Sequence, residues 1–238
     1  MVSVTVSREY GSGGDEIARR VAQRLGIPLL DRELIEVACQ LVEPEVVAAC
    51  EARAGSQVPP SQVQVLPEET PSFAERLVQT ITGGTRQWPR IKSLGPMPVG
   101  EEDSILRRLV PTDGAYVEVM RGVFHRILSQ QGSAVFVGRG GQMLLADRPN
   151  VVHVHVAAPY AAQVRRVMQE EGLSESEAAD LVHRRDGERS RYVSRYYGAN
   201  WLDPSLYHLT VNTGRLTDDQ AVELVLKTAE MVRVGELV

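Results

Sequence analysis

The first 25 residues constrain the fold most, because they indicate a strand, a glycine-rich turn and a helix in direct succession. Alternating valines in residues 2–6 predict a β-strand, and the apolar residues of 17–25 fall on one helical face. Backbone without a Cβ atom can adopt positive φ and approach an anion closely, and the free N–H groups that begin a helix carry partial positive charge. The turn is therefore either a phosphate-binding loop or a tight connection without a ligand. Its glycines are Gly11, Gly13 and Gly14.

The loop departs from the strict phosphate-loop motif, in which a glycine is followed after four residues by Gly-Lys-Ser or Gly-Lys-Thr. Arg8 stands where the first glycine belongs, and Gly14 stands where the lysine belongs. Asp15 replaces the hydroxyl residue that coordinates magnesium, and lysine occurs only at positions 92 and 227. We expect the loop and the start of its helix to bind the donor phosphates. The residues assigned to this role are Gly11, Ser12, Gly13, Gly14, Asp15 and Glu16.

The composition indicates a soluble globular protein with enough apolar residues for one sizeable core. Its net charge of −5 argues against a general nucleic-acid-binding surface, although it is compatible with a local basic site for phosphates. No stretch is long and apolar enough to cross a bilayer, which favours the cytoplasm and no membrane partner. Cys39 and Cys50 lack the number and spacing of a disulfide framework or a metal site, so we interpret them as free thiols.

Strand-like and helix-like segments alternate along most of the chain, which indicates βαβ units and a parallel sheet. Residues 44–109 interrupt this alternation, because they are rich in proline and polar residues with little periodicity. We interpret them as an insertion, a lid or a partner-binding segment. Ser174 and Glu177 form a capping box that begins a long arginine-rich helix. After the first unit, the predicted strands are 27–30, 133–137, 151–156 and 207–212, and the later helices are 116–128, 142–146, 159–171, 174–197 and 217–232.

Five motifs in order resemble the cytidylate kinase-like family: residues 4–14, 28–31, 137–140, 184–191 and 211–213. The resemblance covers roughly residues 1–43 and 112–235. It implies one domain with the three-layer α/β fold of P-loop nucleoside monophosphate kinases, in which a five-stranded parallel sheet of order 2-3-1-4-5 has helices on both faces. It also implies phosphoryl transfer from ATP, with Mg²⁺, to CMP or a related acceptor. The partners would be nucleotides, and a homodimer is left open.

The resemblance also assigns residues to the acceptor side of the site. Arg139 would hold the acceptor phosphate, although Gly140 replaces the aspartate that follows the equivalent arginine in cytidylate kinases. Asp31 falls where the family places residues near the monophosphate. In the predicted lid, residues 172–200, the family's arginine–acid–arginine spacing falls on Arg184, Glu188 and Arg191. Positions i, i+4 and i+7 share one helical face, so the two guanidinium groups could bind phosphate together. The alternative is a solvated helix carrying Arg–Glu pairs.

The missing loop lysine leaves two hypotheses. In the first, the protein is an active kinase in which Arg8 supplies the lost charge, with Lys92 as a second candidate. In the second, it is a nucleotide-sensing or partner-binding protein that keeps the fold without the chemistry, and Arg8 only pairs with Glu9 or Glu16. Other candidates are interpreted as packing residues, or for the two histidines as a hydrogen-bonded pair, rather than as metal ligands or base-stacking groups. They are His153, His155, Tyr192, Tyr196, Tyr197 and Trp201.

Overall fold

A computed structural model describes residues 2–31 and 113–234 of the chain. The predicted insertion at 44–109, together with Cys39, Cys50 and Lys92, lies outside the described residues. The chain divides into two compact units, residues 1–32 with 132–238 and residues 33–131. The first unit contains the sheet and the loop, and the described part of the second is a single helix, α2 (Asp113–Gln131).

The first unit is built on a five-stranded sheet in which every pair of neighbouring strands is parallel. The strands are β1 (Ser3–Arg8), β2 (Leu29–Leu30), β3 (Val135–Val137), β4 (Val151–Ala157) and β5 (Leu209–Asn212). Their order in the sheet is β2-β3-β1-β4-β5, which confirms the predicted order and α/β fold class. The central strand β1 pairs with β4 from Ser3 opposite Val151 to Arg8 opposite Val156.

Helices connect the strands of this sheet, and local sequence fixes several of their ends. Gly26 and Gly172 adopt the left-handed conformation directly after α1 and α4, as C-terminal caps do. The predicted capping box is confirmed, because Ser174 and Glu177 each bond the backbone N–H of the other. Besides α2, the helices are α1 (Gly14–Leu25), α3 (Gly141–Leu144), α4 (Tyr160–Glu171), α5 (Glu175–Tyr197) and α6 (Asp218–Val234), with a short 3₁₀ turn at Pro204–Leu206.

One face of the sheet is a valine-rich core shared with α1 and α6. Val4, Val6 and Val154 point into the same cluster as Ile17 of α1 and Val225 of α6, and all five are at most 1% exposed. The side chains that alternate to one face of the strands therefore pack against the apolar side of α1. Burial of these side chains fixes α1, and with it the loop that precedes it.

The opposite face of the strands is polar but also buried. Thr5 and His153 face each other across β1 and β4, and a hydrogen bond of 2.8 Å joins Thr5 Oγ1 and His153 Nδ1. His155 packs against the rings of Trp201 and Tyr207, with centroids 5.5 and 5.0 Å away. The interpretation of His153, His155 and Trp201 as packing residues is thus confirmed.

Helix α2 has an apolar buried stripe, as its periodicity predicts. Tyr116, Met120, Val123, Phe124 and Ile127 are each at most 3% exposed. No helix in the described ranges combines the length and apolar character that a membrane span requires.

Candidate active site

The glycine-rich loop, residues 9–13, joins the C-terminal end of β1 to α1. Gly11 and Gly13 have φ of 75° and 79°, which an L-residue with a side chain adopts only with strain. Ser12 is fully buried, and its hydroxyl donates to the carbonyl of Glu9 at 2.7 Å, as does its own N–H at 3.2 Å. Directly after β5, the hydroxyl of Thr213 donates to the carbonyl of Ser12 at 2.7 Å. The side chain of Ser12 therefore fixes the shape of the loop.

Helix α1 begins without a side-chain cap. Its N-cap residue is Gly13, which has no group that could bond the N–H groups of the first turn. The two acidic residues of that turn accept hydrogen bonds from arginines. Arg8 donates to Asp15, and Nε of Arg19 donates to Glu16 at 2.7 Å. The hydrogen bond from Arg19 lowers the pKa of Glu16. Backbone N–H groups at an uncapped helix start form a site that favours an anion.

Arg8 occupies the space that a side chain at position 14 would need. A Cβ atom on Gly14 would overlap with Cβ of Arg8 and lie 2.9 Å from its Cγ. The guanidinium of Arg8 donates from Nε to Asp15 Oδ1 at 2.9 Å, and its Nη1 lies beside Gly138. The motif has glycine at the position of Arg8 and lysine at the position of Gly14, so the side chain and its charge have changed places. We call this reversal the matched exchange, and it leaves the cation of Arg8 at the loop.

The loop after β3 is strained and is held by two tyrosines of α5. Gly138, Arg139 and Gly140 have φ of 74°, 55° and 72°, and Arg139 is the single non-glycine residue with positive φ in the described ranges. The hydroxyls of Tyr192 and Tyr197 donate to the carbonyl of Arg139 at 3.4 and 2.8 Å. Backbone strain of this kind costs on the order of 1–3 kcal/mol and persists where surrounding contacts fix it, as at functional sites.

Tyr197 also explains why position 140 is glycine. A Cβ atom there would overlap with the ring of Tyr197, so the aspartate that follows the arginine in cytidylate kinases cannot be accommodated without moving that ring. The guanidinium of Arg139 lies 5.9 Å from the centroid of Tyr192. Tyr192 and Tyr197, which the sequence analysis interpreted as packing residues, therefore pack around this loop.

Three charged residues that the sequence analysis did not assign also reach the glycine loop. Arg166 of α4 lies directly over Gly13 and forms an ion pair of 3.1 Å with Asp218 of α6. From α5, Asp186 accepts a hydrogen bond from the N–H of Tyr10 at 2.8 Å, and Arg189 bonds Asp186 at 2.9 Å. Because Asp186 and Arg189 are three residues apart, the sequence could have predicted that they pair on one helical face. Nothing in the sequence indicated that this face contacts the loop.

The predicted lid residues lie on the same helix with different surroundings. Arg184 and Arg191 are exposed on α5, whereas Glu188 is paired with Arg185 at 3.4 Å. Asp31 is half-buried and directly follows β2, the outermost strand. It therefore lies on the side of the sheet where the strands end, as does the glycine loop. The structure thus brings Arg8, Gly138 and the glycine loop together. The roles of Arg139, Arg184, Arg191, Glu188 and Asp31 stay predictions.

An open, shallow cavity of about 490 Å³ lies near the loop, although no residue of the loop lines it. It is lined by Arg20 and Arg166 and by the segment from Thr213 to Asp219, which links β5 to α6. In the described residues, no three His, Cys, Asp or Glu side chains converge as a metal site.

Comparison with known proteins places these features in a family. The sequence model of the cytidylate kinase-like family matches residues 3–215. Cytidylate kinase of Aeropyrum pernix is 31% identical over 103 residues, which cover 43% of this chain and 59% of that protein. A uronate isomerase of Corynebacterium glutamicum is 35% identical over 94 residues, or 40% of this chain and 18% of that protein. The matched part thus spans less than two thirds of either relative.

A solved structure supports the fold independently of these sequences. An uncharacterized protein from Eubacterium ventriosum superposes with a TM-score of 0.59 at 18% identity, covering 97% of this chain and 99% of that one. At this identity the likeness concerns the fold alone. Because the family model matches residues 3–215, which is most of the chain, the chain belongs to the cytidylate kinase-like family.

Proposed function

We propose that this protein is an ATP-dependent phosphotransferase that moves the γ-phosphoryl group to CMP or a related small acceptor. The observation that carries the proposal is the loop after β1, where two left-handed glycines, an uncapped helix start and the Arg8 guanidinium converge. These groups lie at the C-terminal edge of a parallel sheet, where such folds bind their ligands. Membership of a nucleotide kinase-like family supports the same assignment.

On the donor side, the N–H groups at the start of α1 would bind the phosphates, and Arg8 would supply the charge of the absent lysine. Arginine suits this role because its guanidinium group carries several N–H donors. The hydrogen bond from Arg8 to Asp15 uses the Nε donor. Magnesium bound with the nucleotide would neutralise charge on the outer phosphates. Asp15 is the residue in the position of the motif's metal-binding hydroxyl, and it is the one that we expect to turn toward the ion.

On the acceptor side, we assign Arg139 to the acceptor phosphate and Asp31 to the rest of that molecule. Arg184, Glu188 and Arg191 would close over the transferred group. The bond from the γ-phosphorus to its bridging oxygen breaks as a bond to the acceptor oxygen forms. The protein would accelerate this step by positioning both molecules and by stabilising charge on the γ-phosphate oxygens.

The cavity beside the loop supports nucleotide binding in particular. Its volume of about 490 Å³ falls within the range of small-molecule sites, and Arg166 and Thr213 connect its lining with the loop. A nucleoside moiety there would direct its phosphates toward Arg166, whose guanidinium lies over Gly13. We also predict a cytoplasmic location and nucleotides as partners. Whether the protein forms a homodimer is left open.

A second candidate function is favoured by the β3 loop. Because the Tyr197 ring excludes a side chain at position 140, the acid of the Gly-Arg-Asp motif has no place there. Together with the missing lysine, this observation favours a protein that binds nucleotide as a regulator without transferring phosphate.

One experiment separates the two functions. Transfer of phosphate from ATP is measured with CMP and a panel of other nucleoside monophosphates, and MgATP binding is measured on the same preparation by calorimetry. Turnover with a monophosphate supports the phosphotransferase. Binding without turnover across the panel supports the regulator, and the absence of both contradicts the proposed site.

A further inference from the structure

Helix α5 is connected to the backbone of the glycine loop through one carboxylate. Oδ1 of Asp186 accepts the N–H of Tyr10 at 2.8 Å and Nη1 of Arg189 at 2.9 Å. The side chains of Asp186 and Arg189 are only 22% and 23% exposed, so water competes little for these bonds. The loop and the guanidinium of Arg189 are therefore held in a fixed relation by the same oxygen atom.

The guanidinium of Arg189 is also fixed by stacking. Its carbon atom lies 5.4 Å from the centroid of the Tyr10 ring, and the Tyr10 hydroxyl bonds Glu171 of α4 at 3.3 Å. Cation–π contact and the bond to Asp186 restrict the side chain from two directions. An arginine held in this way loses little conformational entropy when a ligand binds it.

Arg8 and Arg189 are both held at the glycine loop, Arg8 by its bond to Asp15 at the start of α1 and Arg189 by its contact with the ring of Tyr10. Burial and the positive charge of Arg8 together lower the pKa of Arg189 to about 10, so Arg189 is still charged at neutral pH. Arg8 bonds Asp15, and Arg189 bonds Asp186, so each guanidinium is partly compensated by a different acid. An anion with several oxygens could bridge the two guanidinium groups, which a carboxylate bonded to only one of them does not do.

A third acid near Arg189, Glu9, forms its hydrogen bonds with other groups. Glu9 accepts the N–H of Ala158 at 2.8 Å and Nε2 of Gln163 at 2.6 Å, and burial raises its pKa. Those bonds direct its carboxylate toward β4 and α4. The bonded acids that face the guanidinium groups are thus Asp15 and Asp186.

We propose that Arg189 is a second phosphate-binding cation of the glycine loop and that Asp186 is its positioning residue. The inference depends on the proposed function, because the ligand is the phosphate chain of the nucleotide. Arg189 would contact the phosphates beside Arg8. Asp186 would act through Arg189 and through the Tyr10 amide, and it would link the position of α5 to the shape of the loop.

The test is MgATP affinity by calorimetry on the full chain. The variants are Arg189→Gln, Arg189→Lys and Asp186→Asn, with Arg165→Gln as the control, because Arg165 is an exposed arginine of the neighbouring helix α4. We expect Arg189→Gln to weaken binding about tenfold or more, with partial recovery in Arg189→Lys, and Arg165→Gln to bind as the wild type does. Melting temperatures are measured in parallel, and Arg189→Lys carries the test if Arg189→Gln does not fold.

Salt dependence separates contact from positioning. Loss of a cation that touches phosphate reduces the slope of log affinity against log salt, so Arg189→Gln should flatten it. Asp186→Asn should weaken binding and retain the slope, because the cation is still present. If wild type binds MgATP and folded Arg189→Gln matches Arg165→Gln in affinity and slope, the inference is overturned while the proposed function stands. Absence of MgATP binding by the wild type overturns both.

Discussion

The exchange between positions 8 and 14 predicts that the two sites are energetically coupled. Gly14 is the first residue of α1 and its φ is not positive, so alanine fits its backbone conformation. In open space, Gly→Ala in a helix stabilises by roughly 0.5–1 kcal/mol. In this protein the new Cβ atom would overlap with Cβ of Arg8 and lie 3.2 Å from Cβ of Val156. We therefore expect Gly14→Ala to destabilise the wild type by about 1–3 kcal/mol through overpacking.

Removal of the Arg8 side chain should reverse most of this effect. In an Arg8→Gly background the two closest contacts are gone and the next is Val156 at 3.2 Å, so Gly14→Ala should be close to neutral or slightly stabilising. The coupling free energy between the two substitutions should be about 2 kcal/mol. Arg8→Ala is the matched control, because it keeps the Cβ atom that Gly14→Ala would meet and should relieve the overlap only in part.

Urea unfolding of the four proteins of this cycle measures the coupling, with constant m values as the check on two-state behaviour. Gly114→Ala serves as a second control, since it is also a first-turn helix glycine but nothing lies within 4 Å of its added Cβ atom. If Gly14→Ala costs the same free energy in the wild-type and Arg8→Gly backgrounds, the two positions do not share space and the matched exchange is refuted.

Two further predictions concern the polar face of the sheet and the β3 loop. Burial lowers the pKa of His153 and His155 to about 4, whereas unfolded histidine titrates near 6.5. Protonation therefore favours the unfolded chain, and stability should fall as pH drops from about 6.5 toward 4, by about 2 kcal/mol per histidine at pH 5. Urea unfolding at pH 7 and 5 should show a smaller loss in His155→Phe, and an unchanged loss would contradict this account. Gly140→Ala should destabilise more than Gly26→Ala in the same assay, because both have positive φ but only the former meets the Tyr197 ring; equal costs would exclude that contact.

Much of the fold could be predicted because local patterns in this chain agree with its topology. The valines of β1 and the apolar face of α1 point into one cluster, so periodicity alone located both elements. The boundaries were less accurate where long-range pairing decides them. The strand predicted at 27–30 is restricted to Leu29–Leu30, and the strand predicted from residue 207 begins at Leu209 because residues 204–206 form a 3₁₀ turn.

The site was predicted in part, for physical reasons that differ between residues. Loop glycines signal positive φ locally, and Gly11 and Gly13 both have it. By contrast, Asp186 bonds the N–H of Tyr10, which lies 176 residues away in the sequence. Helical spacing cannot indicate that the face of α5 carrying Asp186 and Arg189 turns toward the loop. Reasoning from the family's spacing instead selected Arg184 and Arg191, which are exposed on that helix.

The most direct test of the central claim is the MgATP affinity of the wild type compared with Arg8→Ala and Arg8→Lys. The account predicts that the wild type binds, that Arg8→Ala loses about tenfold or more in affinity, and that lysine restores part of it because a cation returns to the loop. Lys92→Ala, which changes the other candidate cation, should bind as the wild type does. Equal affinity of the wild type and a folded Arg8→Ala variant would contradict the claim that Arg8 supplies the charge of the phosphate-binding loop.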